Sequence, residues 1–216
     1  MTQDQINQLI IQLLSGSVMT LKIFFFTLVF ALPLGLLLTV GRMRKFFVIQ
    51  YPIRLFLLVM RGTPLILQLV AVFFLLPIGF GIHLERFTAA IVAMSLNYAA
   101  YFAEIYRSGF ESMPKGQYEA AAVLGFSKSQ RFFKIILPQV IKKIIPPMGS
   151  EFMTLVKDTA LVSTIGITEL YLVAKDTMSA KASVIPIVAA GVFYLIMNGI
   201  VAQAFHMLEK KLSYYK

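Results

Sequence analysis

Three short runs place polar side chains where this chain is otherwise apolar. Asn97, Tyr101 and Glu104 stand at i, i+4 and i+7, which puts them on one face of a helix. Glu151, Leu155 and Asp158 repeat that spacing, and Arg61-Gly62-Thr63-Pro64 breaks a third apolar stretch. Carboxylates so placed could do acid–base chemistry, ligate a metal or hold a polar solute. The first two uses need companions. The chain has no cysteine, its two histidines, His83 and His206, lie far apart, and no convergent nucleophile, base and orienter stands out. Solute binding remains. The expected site is at the membrane midplane, built from Asn97, Tyr101, Glu104, Glu151 and Asp158. The interrupted helix at Gly62-Thr63-Pro64 would offer backbone N–H groups to an anionic group of a solute. A second reading stands beside it, in which the carboxylates pair internally with Arg107, Lys157 or Arg61.

A membrane is implied by what surrounds these runs. Of 216 residues, 58% are hydrophobic and 14% charged, against about 25% charged in soluble domains. Residues 23–41, 62–84, 87–103 and 182–208 carry no Asp, Glu, Lys or Arg. A helix needs about 20 residues to cross a hydrocarbon core of about 30 Å. A fifth stretch, 135–156, is broken by Lys142, Lys143 and Glu151. The expected architecture is all-α, with five spans at about 18–40, 52–77, 85–108, 135–157 and 184–208 in one domain covering 1–216. Ile6, Leu9, Ile10, Leu13 and Leu14 form an apolar stripe. Residues 1–16 are therefore expected either to lie on the outer membrane surface, ended by Ser15-Gly16-Ser17, or to extend span one.

The net charge of +10 is unevenly spread. Basic residues gather at Arg42, Arg44, Lys45 and Arg54, from Arg107 to Lys143, and at Lys210, Lys211 and Lys216, while the first 21 residues have none. That alternation follows the positive-inside rule rather than a nucleic-acid footprint. It puts the N-terminus outside, the C-terminus in the cytoplasm and an odd number of spans between them.

The longest cytoplasmic segment, 109–134, leads into the most specific pattern: Glu119-Ala120-Ala121, then Gly125, then Ile135, Leu137 and Pro138. Residues 117–124 are rich in helix formers, the alanines give a low profile, and Gly125 sits at a likely C′ position. The spacing resembles the EAA motif of bacterial ABC-import permeases. Arg61-Gly62-Thr63-Pro64-Leu65, the run 101–109, the run 114–117, Glu151-Phe152 and the run 157–161 are similar to the polar amino acid branch of that family, with Ser108 as a small departure.

The resemblance implies an inner-membrane permease subunit, whose loop 116–138 couples it to ATP-binding-cassette ATPase subunits through Glu119, Ala120, Ala121, Gly125, Leu137 and Pro138. It also implies a second permease chain (a homodimer is expected), an extracytoplasmic solute-binding protein and an amino-acid substrate, basic ahead of glutamine. ATP and Mg would be held by the ATPase, so no cofactor and no enzymatic site is expected in this chain. Residues 125–129 superficially fit a phosphate-binding loop, but Ala122 and Ser127 stand where its pattern needs glycine. A self-sufficient channel or proton-coupled carrier is the alternative, and it would have no use for the 119–138 pattern. The topology is checked by single cysteines. Those at Gln5 and Gly79 are expected to react with an impermeant reagent from outside and one at Ser127 only from inside; a cytoplasmic residue 5 would overturn the five-span order.

Overall fold

In a computed structural model of the chain, residues 3–44 and 46–212 are described, so Lys45 and Lys216 of the basic clusters lie outside them. The described residues are helical almost throughout. The elements are α1 (Gln3–Met43), α2 (Phe47–Gly62), α3 (Leu65–Val70), α4 (Leu76–Phe80), α5 (Arg86–Glu111), α6 (Lys115–Val123), α7 (Lys128–Gln130), α8 (Leu137–Asp158), α9 (Leu170–Lys181) and α10 (Ile185–Leu212). On length and apolarity α1 and α10 each suffice to cross a bilayer, and α2 with the stretch Leu65–Phe80 passes the same test as a pair, a broken span or a re-entrant loop bent by 110° at the break. The other two expected spans correspond to α5 and α8, which are less apolar because they carry Asn97, Glu104, Lys142, Lys143 and Glu151.

Ser15-Gly16-Ser17 does not end a helix. α1 runs through it for 41 residues, about 60 Å at 1.5 Å per residue. Of the two readings for residues 1–16, the extension of span one is the one observed. Gly16 serves contact instead: a Cβ there would stand 2.9 Å from the Leu170 Cα. The first turn of α9 is held at that point. Glu169, fully buried, accepts from the backbone N–H groups of Tyr171 (2.7 Å) and Leu172 (2.8 Å) and from the Tyr194 hydroxyl on α10 (2.9 Å). Burial pushes this carboxyl up, and the three donors oppose the shift by favouring its ionised form. The Leu170 N–H reaches Thr20 Oγ1 on α1 at 3.4 Å.

The centre is the pair α1 and α5. One face of α5 is a stripe of small residues, with Ala89, Ala90, Ala93, Ala99, Ala100 and Ala103 all buried. Gly35 of α1 sits against it, where a Cβ would meet the Ala99 carbonyl at 3.0 Å. Small residues let backbones approach, which in lipid is the main source of helix association. Thr39 Oγ1 adds a hydrogen bond to the Ala103 carbonyl at 3.0 Å. The opposite faces of α1 and α10 leave Phe25, Val29, Leu37, Val188 and Leu195 exposed, as lipid contact requires.

Two prolines shape the remaining helices. In Ala71–Leu75 and in Arg131–Ile136 the winding loosens to the π form, and the Leu76 and Leu137 N–H groups reach back five residues, to Ala71 and Phe132. Each stands directly before a proline, Pro77 or Pro138, whose missing N–H interrupts the ordinary ladder. The helical path into span four starts earlier than residue 135. Ser127 caps it, accepting from the Gln130 N–H at 3.2 Å while Gln130 Oε1 accepts from the Ser127 N–H at 3.0 Å.

The contact at Gly16 yields a test. Gly16→Val is expected to lower the thermal unfolding midpoint in detergent through overpacking that costs about 1–3 kcal/mol. An unchanged midpoint would show that α9 can move off α1 freely.

Candidate functional site

The site begins with a missing donor. In an unbroken helix the residue 64 N–H would bond the Met60 carbonyl, but residue 64 is proline. α2 ends at Gly62, and the Met60 oxygen is left for side chains. Asn97 Nδ2 donates to it at 3.0 Å and Gln68 Nε2 at 3.0 Å. The two amides are joined by Asn97 Nδ2 to Gln68 Oε1 at 2.9 Å, and Gln68 Nε2 also reaches Thr63 Oγ1 at 2.8 Å. Thr63 Oγ1 in turn donates to the Val59 carbonyl at 2.8 Å. Asn97 and Thr63 are thus brought together, through a residue the sequence reading missed. The signal for Gln68 was a single amide four residues after Pro64 in an apolar run.

The carboxylates divide. Asp158 accepts from the hydroxyl of Tyr98, a fully buried residue, at 2.8 Å. Glu151, two turns away on the same face of α8, has no hydrogen-bond or ion-pair partner among the described residues and is half-buried. These two and the amide cluster are compatible with a polar solute. Glu104 does not join them. It pairs with Arg42, with Arg107, and with Arg61 at 3.7 Å, and Arg107 also holds Glu111. Tyr101 goes with it, its ring lying under the Arg61 guanidinium at 5.5 Å. The expected five-residue face therefore splits, because three guanidinium groups surround Glu104 and neutralise it. Internal pairing is the correct reading for this residue.

The segment 115–138 forms a compact projection. α6 closes in a Schellman turn: the Phe126 N–H reaches the Ala121 carbonyl at 3.1 Å, the Gly125 N–H reaches Ala122 at 3.0 Å, and Gly125 takes φ +78°. Ala121 faces inward and is buried, whereas Glu119, Ala120 and Ala122 are exposed. Val123 is 88% exposed and Leu124 73%. Arg131 ties the projection back by donating to the Tyr118 carbonyl at 3.2 Å. Leu137 and Pro138 open α8 behind it.

Residues 31–214 match the family described as binding-protein-dependent transport system inner membrane component. The chain belongs to that family. It is 33% identical over 215 residues to the L-cystine transport system permease protein of Bacillus subtilis (strain 168), covering 98% of this chain and 92% of that one. It is 36% identical over 202 residues to the arginine transport system permease protein of the same organism, covering 93% and 92%. Among solved structures it is similar to an amino acid ABC transporter with histidines, with TM-score 0.88, 30% identity, and coverage of 98% of this chain and 99% of that one. The chain is accordingly a permease subunit, an all-helical membrane protein and not itself an enzyme; ATP hydrolysis belongs to a separate subunit.

The capping of Met60 can be measured. Asn97→Ala is expected to destabilise the chain by about 1–3 kcal/mol, since it leaves a buried carbonyl short of a donor. In a Pro64→Ala background the restored backbone N–H should reduce that loss, read as a coupling energy in a double-mutant cycle. Equal losses in both backgrounds would disprove the assignment.

Proposed function

We propose that the chain is the permease subunit of an ATP-driven importer of polar amino acids, with basic amino acids favoured over glutamine. Two copies work together, since one set of five spans is too few to enclose a polar path. ATPase subunits that bind ATP and Mg dock on the cytoplasmic side, and a solute-binding protein delivers from outside. The N-terminus is outside and the C-terminus in the cytoplasm, in a bacterial inner membrane.

The observation that carries this reading is the α6 projection. Val123 and Leu124 are apolar side chains held in the open by a rigid, glycine-closed turn in the most polar segment of the chain. Such exposure outside the bilayer is explained by a partner surface. Glu119 lies at the middle of α6 with its side chain exposed, open to a partner surface. The coupling residues proposed are Glu119, Ala120, Ala121, Gly125, Leu137 and Pro138.

The solute residues proposed are Asn97, Gln68, Thr63, Glu151 and Asp158, without Glu104. An intramembrane carboxylate costs about 2.5–3.5 kcal/mol on insertion scales and so faces a cavity or a partner. Glu151 has no partner among the described residues, which suits a cationic solute. The relatives named for L-cystine and arginine support amino acids as the class.

Two experiments test the proposal on the reconstituted complex. Uptake is measured across a panel of amino acids, and Glu151→Gln is expected to lower uptake of arginine or lysine by about tenfold or more, one lost charge contact being worth roughly 1.4 kcal/mol or above. Gly125→Val and Glu119→Lys are expected to insert normally but lose solute-stimulated ATP turnover. For Gly125 the reason is the positive φ that a β-branched residue resists. Normal coupling in both variants, or no uptake of any amino acid, would overturn the proposal.

A further inference from the structure

Below the broken helix, on the side that the charge pattern assigns to the cytoplasm, α1 and α2 flank an open cavity of about 370 Å³. Its walls are Arg42, Arg54, Leu57, Leu58, Arg61 and Gly62. Three guanidinium groups thus share one space. Arg54 has no ion pair or hydrogen bond among the described residues. Arg42 and Arg61 share Glu104 with Arg107, which also holds Glu111. Four cations against two carboxylates leave two positive charges uncompensated around the cavity. Arg54 and Arg61 are exposed to this space, and a groove lined by cations in excess attracts an anion.

The geometry points to a carboxylate. A guanidinium offers two parallel N–H donors that match a carboxylate's two oxygens, as an ammonium does not. Arg54 and Arg61 are seven residues apart on α2, which is two turns, so they lie on one face about 10 Å apart along the axis. The upper end of the cavity, at Arg61 and Gly62, adjoins Met60, whose carbonyl carries the Asn97 and Gln68 amides. Arg42, in the last turn of α1, stands beside Arg61, since both reach Glu104 Oε2, and Arg54 marks the other end.

We propose that this arginine-lined cavity between α1 and α2 is an anion subsite below the amide cluster, and that it takes the carboxylate of the amino-acid solute as the solute moves toward the cytoplasm. The assignment to an amino acid rests on the function proposed above; the anion preference does not. Arg61 and Arg42, both held at Glu104, and Arg54, two turns away along α2, give the carboxylate more than one guanidinium partner, while Glu104 keeps Arg42 and Arg61 from repelling each other.

Because the chain has no cysteine, a single one reports on the cavity. Leu58 lines it and is 69% exposed. Leu58→Cys, in the complete transporter complex in neutral-lipid nanodiscs at low salt, is treated with an anionic and with a cationic methanethiosulfonate. The anionic reagent is expected to react at least about tenfold faster than the cationic one, as basic clefts concentrate anions. The ratio should fall toward parity in Arg54→Gln with Arg61→Gln and persist in Arg54→Lys, with assembly of the complex checked in each. L-Glutamine and L-arginine should protect the cysteine, and their α-carboxamides should not. Equal rates for the two reagents in the parent would overturn the anion subsite. Protection that appears only when the nanodiscs contain phosphatidylglycerol, with none from amino acids, would assign the cavity to a lipid headgroup and overturn the proposal. If the parent complex takes up no amino acid yet free carboxylates still protect, the subsite stands and the proposed substrate class falls.

Discussion

Pro64 has no N–H to give, and the Met60 carbonyl must find its hydrogen bonds elsewhere. Inside a membrane that requirement is strict, because no water is at hand and each unsatisfied backbone group costs several kcal/mol. Asn97 and Gln68 meet it, one from α5 and one from the far side of the break. The same two contacts hold a bend of 110° between α2 and the stretch that follows. They also fix the rotation of α5, because Asn97 must face α2. Tyr98 next to it then faces Asp158 at the end of α8, and Ala99, Ala100 and Ala103 fall where α1 and α2 pack. A backbone deficiency of one atom thereby orients three spans around one polar centre.

Charge is arranged in two tiers around that centre. The tier at Glu151 and Asp158 is acidic and only partly satisfied, by the Tyr98 hydroxyl. The tier at Arg42, Arg54, Arg61 and Arg107 has more cations than carboxylates. A zwitterion presents both signs, and a path lined first by one and then by the other can hold it in one orientation at each stage. Arg61 sits at the boundary, over the Tyr101 ring and within 3.7 Å of Glu104.

Much of this was legible in the sequence, for reasons that differ by residue. Gly62-Thr63-Pro64 announced a break because proline acts on its own helix, and Gly125 announced a stop because the left-handed conformation is a local preference. The π stretches before Pro77 and Pro138 carry the same local signal, though it was not read. Which of its two readings Glu104 follows is not legible locally, because its pairing depends on Arg42, 62 residues away. Periodicity says which face a residue shares, but it is silent on what another helix brings to that face. Gly16 misled for the opposite reason. Its local meaning is a helix stop, and it is overridden by the backbone of α9 lying where a side chain would be. Gln68 and Tyr98 were invisible as site residues until the bend and the packing put them beside Asn97 and Asp158.

The unbroken length of α1 has a mechanical consequence. It touches α9 at Gly16, α5 at Gly35 and α2 at Gly41, where a Cβ would meet the Ile53 side chain. A rod of about 60 Å that pivots by 10° about its middle swings each end through about 5 Å. Gly16 lies about 10 Å from that middle and Arg42 about 29 Å, so a displacement at Arg42 arrives at Gly16 reversed in direction and about one-third as large, with no loop in between to absorb it. The helix is a beam, and the contacts near its two ends are geared directly to one another.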